Sequence, residues 1–287
     1  MKPTVVREKE ELRRFCNEAR AQGKLVGFVP TMGALHEGHL SLMREAKRAG
    51  ADFVVVSIFV NPMQFGANED LDRYPRTFEA DLEACEREGV SLVFAPTNES
   101  MYGPNFESHV EVESLTLPLE GVHRPGHFRG VTTIVAKLFN LLGPCLAVFG
   151  KKDLQQALII ERMVADLDMP VEIILAPTAR EADGLALSSR NRYLSAEERE
   201  RGLSISRGLR AAYDAFHQGE RDVARLSALV REAIEPHADS IDYAAVVHKA
   251  SLTADGDNAD DLVGIVAARF GNTRLIDNCI FAEDRRP

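Results

Sequence analysis

The sequence predicts an α/β fold, a parallel sheet with helices on both faces, followed by a smaller α+β C-terminal domain. Three observations carry this. Five short apolar runs alternate with segments of helical periodicity, the order that builds a parallel sheet through helical crossovers. Those runs are almost wholly apolar, as strands covered on both faces are. After Pro177 the character changes, and two helical patterns are followed by three strand patterns with no helix between them. At 287 residues the chain exceeds what one ordinary core carries, so two domains are expected, residues 1–177 and 178–287, with the boundary near Ala176–Ala179.

The elements follow in order. Lys9 to Ala21 is a charged amphipathic helix with Leu12, Phe15 and Ala19 inward. Leu25–Val29 is a buried strand, and a glycine-containing turn, Pro30 to His39, leads to a helix whose His39, Leu42, Met43 and Ala46 share the i, i+3, i+4, i+7 spacing of one face. Asp52–Val60 is the next strand, ended by the breaker Asn61-Pro62. A helix over Arg76–Gly89 and a short strand over Leu92–Ala95 follow. Pro96–Gly130 is irregular, rich in Pro, Gly and His, and longer than a plain connection needs. Val131, Ile134, Val135, Leu138, Leu141 and Leu142 mark a strong helix, then come a strand at Leu146–Phe149, a helix over Asp153–Leu167 and a strand at Val171–Leu175. In the second part, Ser195-Ala196-Glu197-Glu198 is a capping box opening a helix with Leu209, Ala212, Tyr213 and Phe216 on one face. Val223, Leu226, Val230 and Ile234 mark another, and Ile241–Val247, Leu262–Phe270 and Leu275–Phe281 read as strands around an acidic turn, Asp255 to Asp261. The tail from Glu283 to Pro287 reads as frayed.

Composition narrows the function. The apolar fraction of 45% and charged fraction of 27% are those of a globular protein, and a formal charge of −10 argues against a nucleic-acid partner, whose phosphates draw on clustered Lys and Arg. A small acidic substrate stays open, because local cations can serve it inside an acidic shell. Four scattered cysteines, Cys16, Cys85, Cys145 and Cys279, form no C-x-x-C pair and offer no zinc cluster. No apolar run approaches the length of a membrane span, and Met1-Lys2-Pro3-Thr4 carries no signal-peptide core, so a cytoplasmic protein is expected.

Ligands of such sheets sit beyond the carboxyl ends of the strands. The turns after Val29, Val60, Phe149 and Leu175 all lie at those ends and are expected to converge. The first carries His36-Glu37-Gly38-His39 at a helix start, where unpaired N–H groups and the dipole favour an anion and the imidazoles add donors. Read alone, it fits a capped helix with one packed histidine as well as a triphosphate site. A zinc reading is weaker, since the histidines are three apart at the helix mouth. The second is Phe149-Gly150-Lys151-Lys152-Asp153-Leu154-Gln155-Gln156, where a lysine reaches phosphate as a point charge and Asp153 caps the helix or helps place Mg²⁺. Solvated lysines and surface glutamines are its bland alternative. The third, Asp183 to Arg192, gathers Ser188, Ser189 and Arg190, with Arg190 able to fork onto two phosphate oxygens; otherwise it is a linker with turn-capping serines. Gln64, in Asn61-Pro62-Met63-Gln64, carries an amide able to hold a hydroxy acid, or is part of a simple turn. Arg124 to Gly130 is suited to a carboxylate, or is a basic loop paired with surface acids.

Taken together, Pro30–His39, Phe59–Phe65, Tyr74–Thr77, Arg124–Gly130, Phe149–Gln156 and Gly184–Arg192 resemble the pantothenate synthetase (pantoate–β-alanine ligase) family, down to Arg274-Leu275-Ile276-Asp277-Asn278. The H-x-G-H signature alone indicates only the wider nucleotidyltransferase superfamily; Asn61-Pro62-Met63-Gln64-Phe65 and Leu187-Ser188-Ser189-Arg190 narrow it. The resemblance implies a Rossmann-like first domain, a C-terminal lid and a homodimer. It implies that ATP and pantoate form a bound pantoyl adenylate and pyrophosphate, and that β-alanine then displaces AMP. Carried onto this chain, it assigns Met32, Gly33, Ala34, Leu35, His36, Glu37, Gly38 and His39 to ATP, with His39 in the general-acid position. Gly150, Lys151, Lys152, Asp153, Ala179, Leu187, Ser188, Ser189 and Arg190 join them. Gln64 and Gln156 match the pantoate-holding glutamines, and Gln64 also borders the β-alanine site. Ala179 stands where the family has a larger aliphatic residue, and Lys151 where an acidic or neutral one is commoner. In this reading His36, His39, Lys152, Ser188 and Arg190 hold the triphosphate and stabilise charge at the transferring centre, with Mg²⁺ on the outer phosphates. A nucleotidyltransferase that stops at a phosphate ester and a non-catalytic nucleotide sensor are the competing readings.

Overall fold

The computed structural model describes residues 2–66, 69 and 71–287; Met1, which opens the N-terminal stretch read above, lies outside them. The chain divides into two compact units. One comprises Met1–Thr116, Arg124–Gly150 and Gln156–Ala176, the other Leu117–His123, Lys151–Gln155 and Pro177–Pro287.

The first unit is built on β1 (Thr4–Val6), α1 (Lys9–Ala21), β2 (Val26–Thr31), α2 (Glu37–Arg48), β3 (Phe53–Ile58), α3 (Phe78–Arg87), β4 (Leu92–Phe94) and the one-turn helix α4 (Asn98–Met101). After another one-turn helix, α5 (Glu120–His123), which groups with the second unit, come α6 (His127–Leu142), β5 (Cys145–Gly150), α7 (Leu154–Asp166) and β6 (Val171–Ala176). The six strands form one parallel sheet in the order β1-β4-β3-β2-β5-β6. From β2 the chain steps outward through β3 and β4, then returns to lay β5 on the other side of β2. That reversal makes β2 and β5 the topological switch point, where sheets of this kind take ligands.

Strand periodicity supplies both faces. On one face Val26, Phe28, Ala147 and Phe149 pack with Leu12 and Cys16 of α1, with α6, and with Ile160 of α7. The opposite residues Val29, Val54, Val56 and Val148 pack with Met43 and Ala46 of α2 and Cys85 of α3. A two-residue side-chain period makes this sorting automatic.

The second unit carries α8 (Ala196–Gly202), α9 (Ser204–His217) and α10 (Val223–Ile234), then an antiparallel meander of β7 (Ser240–His248), β8 (Leu262–Phe270) and β9 (Thr273–Ile280). Leu209, Ala212 and Phe216 of α9 and Leu226, Val230 and Ile234 of α10 share its core with Val246, Val266 and Phe270.

The structure corrects several local expectations. The sheet has a sixth strand, β1, three residues long and at the edge. The buried stripe of α2 is Leu40, Met43 and Ala46, because His39 is turned back to cap the helix start. Helix α6 begins at His127, directly after Gly126 in the left-handed region, so part of the Arg124–Gly130 stretch is helical. The Ser195 capping box opens the short α8, and the chain turns at Leu203 before α9. The tail is pinned: Arg286 pairs with Asp214, and Arg210 donates to the Pro287 carbonyl at 2.9 Å.

Candidate active site

The turn between β2 and α2 is held by its own backbone and one buried acid. Gly33 and Ala34 have positive φ, +82° and +51°, a conformation that favours glycine at the first and strains the second. The Gly33 amide donates to Thr31 Oγ1 at 3.1 Å. Asp81 of α3, only 2% exposed, accepts from the amides of Ala34 at 3.0 Å and Leu35 at 2.8 Å, and from Thr77 Oγ1 at 3.1 Å. These three amides therefore fix the turn's shape and are not left over for a ligand. Asp81 was not singled out by the sequence; its signal is a carboxylate on the inward stripe that runs from Phe78 to Cys85.

The histidines form a reciprocal cap. Gly38 N–H donates to His36 Nδ1 at 3.1 Å and His36 N–H donates to His39 Nδ1 at 3.3 Å, with ring centroids 4.2 Å apart. Both Nδ1 atoms accept, which in neutral imidazoles puts the protons on Nε2. Helix capping thus selects the tautomer and makes Nε2 the donor of each ring.

Beyond β3, Asn61 caps the turn Pro62–Gln64 and is almost wholly buried. Burial pushes the Tyr102 phenol up, so it stays protonated and donates to Asn61 Oδ1 at 2.7 Å. Asn61 Nδ2 then points at Gln64 Oε1, 3.0 Å, and the Gly130 carbonyl, 3.1 Å. Gln64 Nε2 in turn lies 3.2 Å from Met32 Sδ. The chain of amides fixes the orientation of Gln64: its oxygen accepts from Asn61, and its –NH₂ is the donor, with Met32 Sδ beside it. Gly130 meets the Met63 carbonyl so closely that a Cβ there would overlap it. His127 Nδ1 lies 2.8 Å from the Gln64 carbonyl and must donate to it, leaving Nε2 to accept from Arg124 at 3.0 Å. Arg124 also forks onto Glu69 at 2.7 and 2.6 Å, so this basic residue is paired with an acid. Burial works to raise the Glu69 carboxyl, but the hydrogen bonds and charge of Arg124 outweigh it and hold the group below its ordinary range. Gln156 lies half-buried on α7, whereas its neighbour Gln155 is consumed by Glu120 N–H at 3.1 Å and the Pro118 carbonyl at 2.8 Å.

The remaining candidates belong to the second unit. Lys151, Lys152 and Asp153 form a 3₁₀ turn directly after Gly150. Lys151 Nζ is paired with Asp284 at 2.9 Å and Glu283 at 3.2 Å, while among the described residues no carboxylate pairs with Lys152. Ser188 caps the turn Ser189–Tyr193, its Oγ accepting from Arg190 N–H at 3.2 Å. The Ala179 carbonyl accepts from Leu187 N–H at 2.9 Å, closing a small hairpin. Arg199 fastens the base of that hairpin to Glu181 at 2.8 Å and Asp183 at 2.5 Å.

A parallel sheet whose switch point carries an H-x-G-H turn has the build of the nucleotide-binding α/β enzymes. Within that class the chain belongs to the pantoate–β-alanine ligase family, whose profile, Pantoate-beta-alanine ligase, matches residues 4–280. It is 53% identical to pantothenate synthetase 1 of Bradyrhizobium diazoefficiens, over 97% of this chain and 98% of that one. Its fold is similar to the crystal structure of pantothenate synthetase from Thermus thermophilus, with a TM-score of 0.90, 47% identity and 97% and 99% of the two chains covered. The pantoate–β-alanine ligase of Francisella tularensis, complexed with β,γ-ATP and β-alanine, aligns with a TM-score of 0.79 and 30% identity over 98% of this chain and 99% of that one.

Proposed function

We propose that the protein condenses pantoate with β-alanine to give pantothenate, using ATP and passing through a bound pantoyl adenylate. In the first step a pantoate carboxylate oxygen attacks the α-phosphorus of ATP, the bond to the β-phosphate breaks, and pyrophosphate leaves. In the second the neutral β-alanine nitrogen attacks the acyl carbon, the acyl–oxygen bond to AMP breaks, and the amine proton passes to solvent.

The observation that carries the reading is the reciprocal histidine cap, which makes Nε2 of both rings a donor at the switch point of a chain of this family. Charge accumulates on the transferring phosphoryl group and on pyrophosphate, so fixed donors act there without reorganising. His36 and His39 supply them, with His39 in the general-acid position, and Lys152, Ser188, Ser189 and Arg190 join them. Met32 to Leu35, Glu37, Gly38, Gly150, Asp153, Ala179 and Leu187 contribute backbone and packing to the ATP site. Lys151, its ammonium already paired, contributes through its main chain. The –NH₂ of Gln64 reads an oxygen of pantoate and borders β-alanine, and Gln156 holds pantoate as well. Residues 178–287 act as a lid that keeps the mixed anhydride dry.

Mg²⁺ fits this donor set as a companion of ATP. Among the described residues no three His, Cys, Asp or Glu side chains gather as a metal cage, and Mg²⁺ needs none when phosphates supply most of its ligands. The exposed Asp153 carboxylate beside Lys152 is the residue suited to it, and the ion's contribution is to neutralise charge on the outer phosphates. Among the described residues no helix is long and apolar enough to cross a membrane, and a cytoplasmic homodimer is part of the proposal. The test is a product assay with ATP, pantoate and β-alanine, omitting each in turn. Pantothenate and AMP form only with all three present; turnover with a phosphorylated acceptor in place of pantoate would point to a simple nucleotidyltransferase instead.

A further inference from the structure

The stretch from Arg274 to Asn278 carries no task in the reaction above, yet it makes a specific set of contacts. Asn278 of β9 is 2% exposed, and its single –NH₂ group donates to two successive carbonyls, those of Lys151 and Lys152, each at 2.8 Å. Those carbonyls belong to the two peptide planes that flank the Lys152 Cα. One side chain therefore fixes both φ and ψ of Lys152 and leaves only its side-chain torsions to vary. The reverse amide orientation would set Oδ1 against two carbonyl oxygens and is excluded. In the observed one Oδ1 is buried without a protein partner, a cost that the residue bears for the sake of its other end.

Its neighbour Asp277 does the matching work for the adjoining loop. Asp277 accepts from Arg180 at 2.6 and 3.0 Å, and Arg180 also donates to the Gly184 carbonyl at 3.1 Å and the Asn278 carbonyl at 3.3 Å. Arg180 and Gly184 belong to the hairpin that delivers Leu187 to Arg190. Meanwhile Lys151 is anchored to Asp284 and Glu283, so Lys152 is the turn's remaining cation.

We infer that Asn278 is a positioning residue for Lys152, and Asp277, through Arg180, for the Ser188–Arg190 turn, so that one dipeptide of β9 sets both cationic parts of the second unit. This rests on the ATP role proposed for Lys152. A misplacement of about 1 Å in a phosphate-gripping group lowers rate by roughly 100-fold.

The test compares N278L, which keeps the shape and removes both donors, with K152A and the double variant in the full-length protein. Pantoate-dependent pyrophosphate exchange and KM for each substrate are the read-outs. N278L is expected to slow exchange by about 10- to 100-fold and raise KM for ATP, with KM for β-alanine unchanged. The double variant is expected to be no slower than K152A, because two residues acting through one group are not additive. If N278L fails to fold, N278S, retaining one small donor, gives the same comparison. A change in melting temperature alone, or a loss that multiplies that of K152A, overturns the inference. Unimpaired K152A would overturn the ATP role of Lys152 itself; impaired K152A beside unimpaired N278L overturns this inference alone.

Discussion

The two polar turns at the ends of β2 and β5 are stabilised in opposite ways. The turn after β2 is capped locally: His36 and His39 cap each other within four residues, and Asp81 reaches back to it from α3. The turn after β5 depends on remote sequence, with Lys151 and Lys152 held by Asn278, Glu283 and Asp284 more than 120 positions away. A turn capped by its own side chains needs little from the rest of the chain beyond that one carboxylate. A turn held by a C-terminal strand is only as well placed as the unit that holds it.

That contrast can be broken or sharpened by substitution. The largest losses are expected where a donor faces the reacting phosphate. H39A and K152A should each lower pantoyl adenylate formation by about 10²–10³, measured in a single turnover without β-alanine. D81N comes next. It weakens a carboxylate that two buried amides and Thr77 share, so a stability loss of about 1–3 kcal/mol is expected by denaturant unfolding, together with slower adenylate formation. Y102F removes only the hydroxyl that orients Asn61, and a rise of about 3- to 10-fold in KM for pantoate is expected, with the melting temperature nearly unchanged. The smallest effect is E69Q. The folded-state pKa of Glu69 is depressed, so its contribution is present above the unfolded value near 4.5 and is lost as pH falls through the lower folded value. Being partly exposed, the pair is worth about 1 kcal/mol or less. Wild type and E69Q should differ slightly in stability at pH 7 and converge as pH falls through the lowered folded value of Glu69.

The same contrast explains what could be read from the sequence. Helix α1 and the strands β2, β3 and β5 announce themselves through periodicity, because a buried stripe imposes its spacing on neighbouring residues. The His36–His39 turn is legible for a related reason: its reciprocal cap lies within the motif. Strand β1, at three residues, is too short to carry a period. The start of α6 is hidden because His127, Arg129 and Gly130 look like loop residues, although Gly130 is required where the helix meets the Met63 carbonyl. The tail reads as frayed because nothing local shows that Glu283 and Asp284 answer Lys151, and that Glu283 also pairs with Lys249. Asp81 and Asn278 were missed as supports on the same physical ground. A hydrogen bond across dozens of residues leaves no spacing in the sequence, only a polar residue standing where an apolar one is expected.

The central claim is that an acid is activated on ATP by donors drawn from both turns. Exchange of labelled pyrophosphate into ATP, run with pantoate and without β-alanine, tests it most directly. The account predicts exchange that depends on pantoate in the wild-type protein and falls by at least about 100-fold in both H39A and K152A. Exchange that proceeds without pantoate, or that survives intact in either variant, would contradict it.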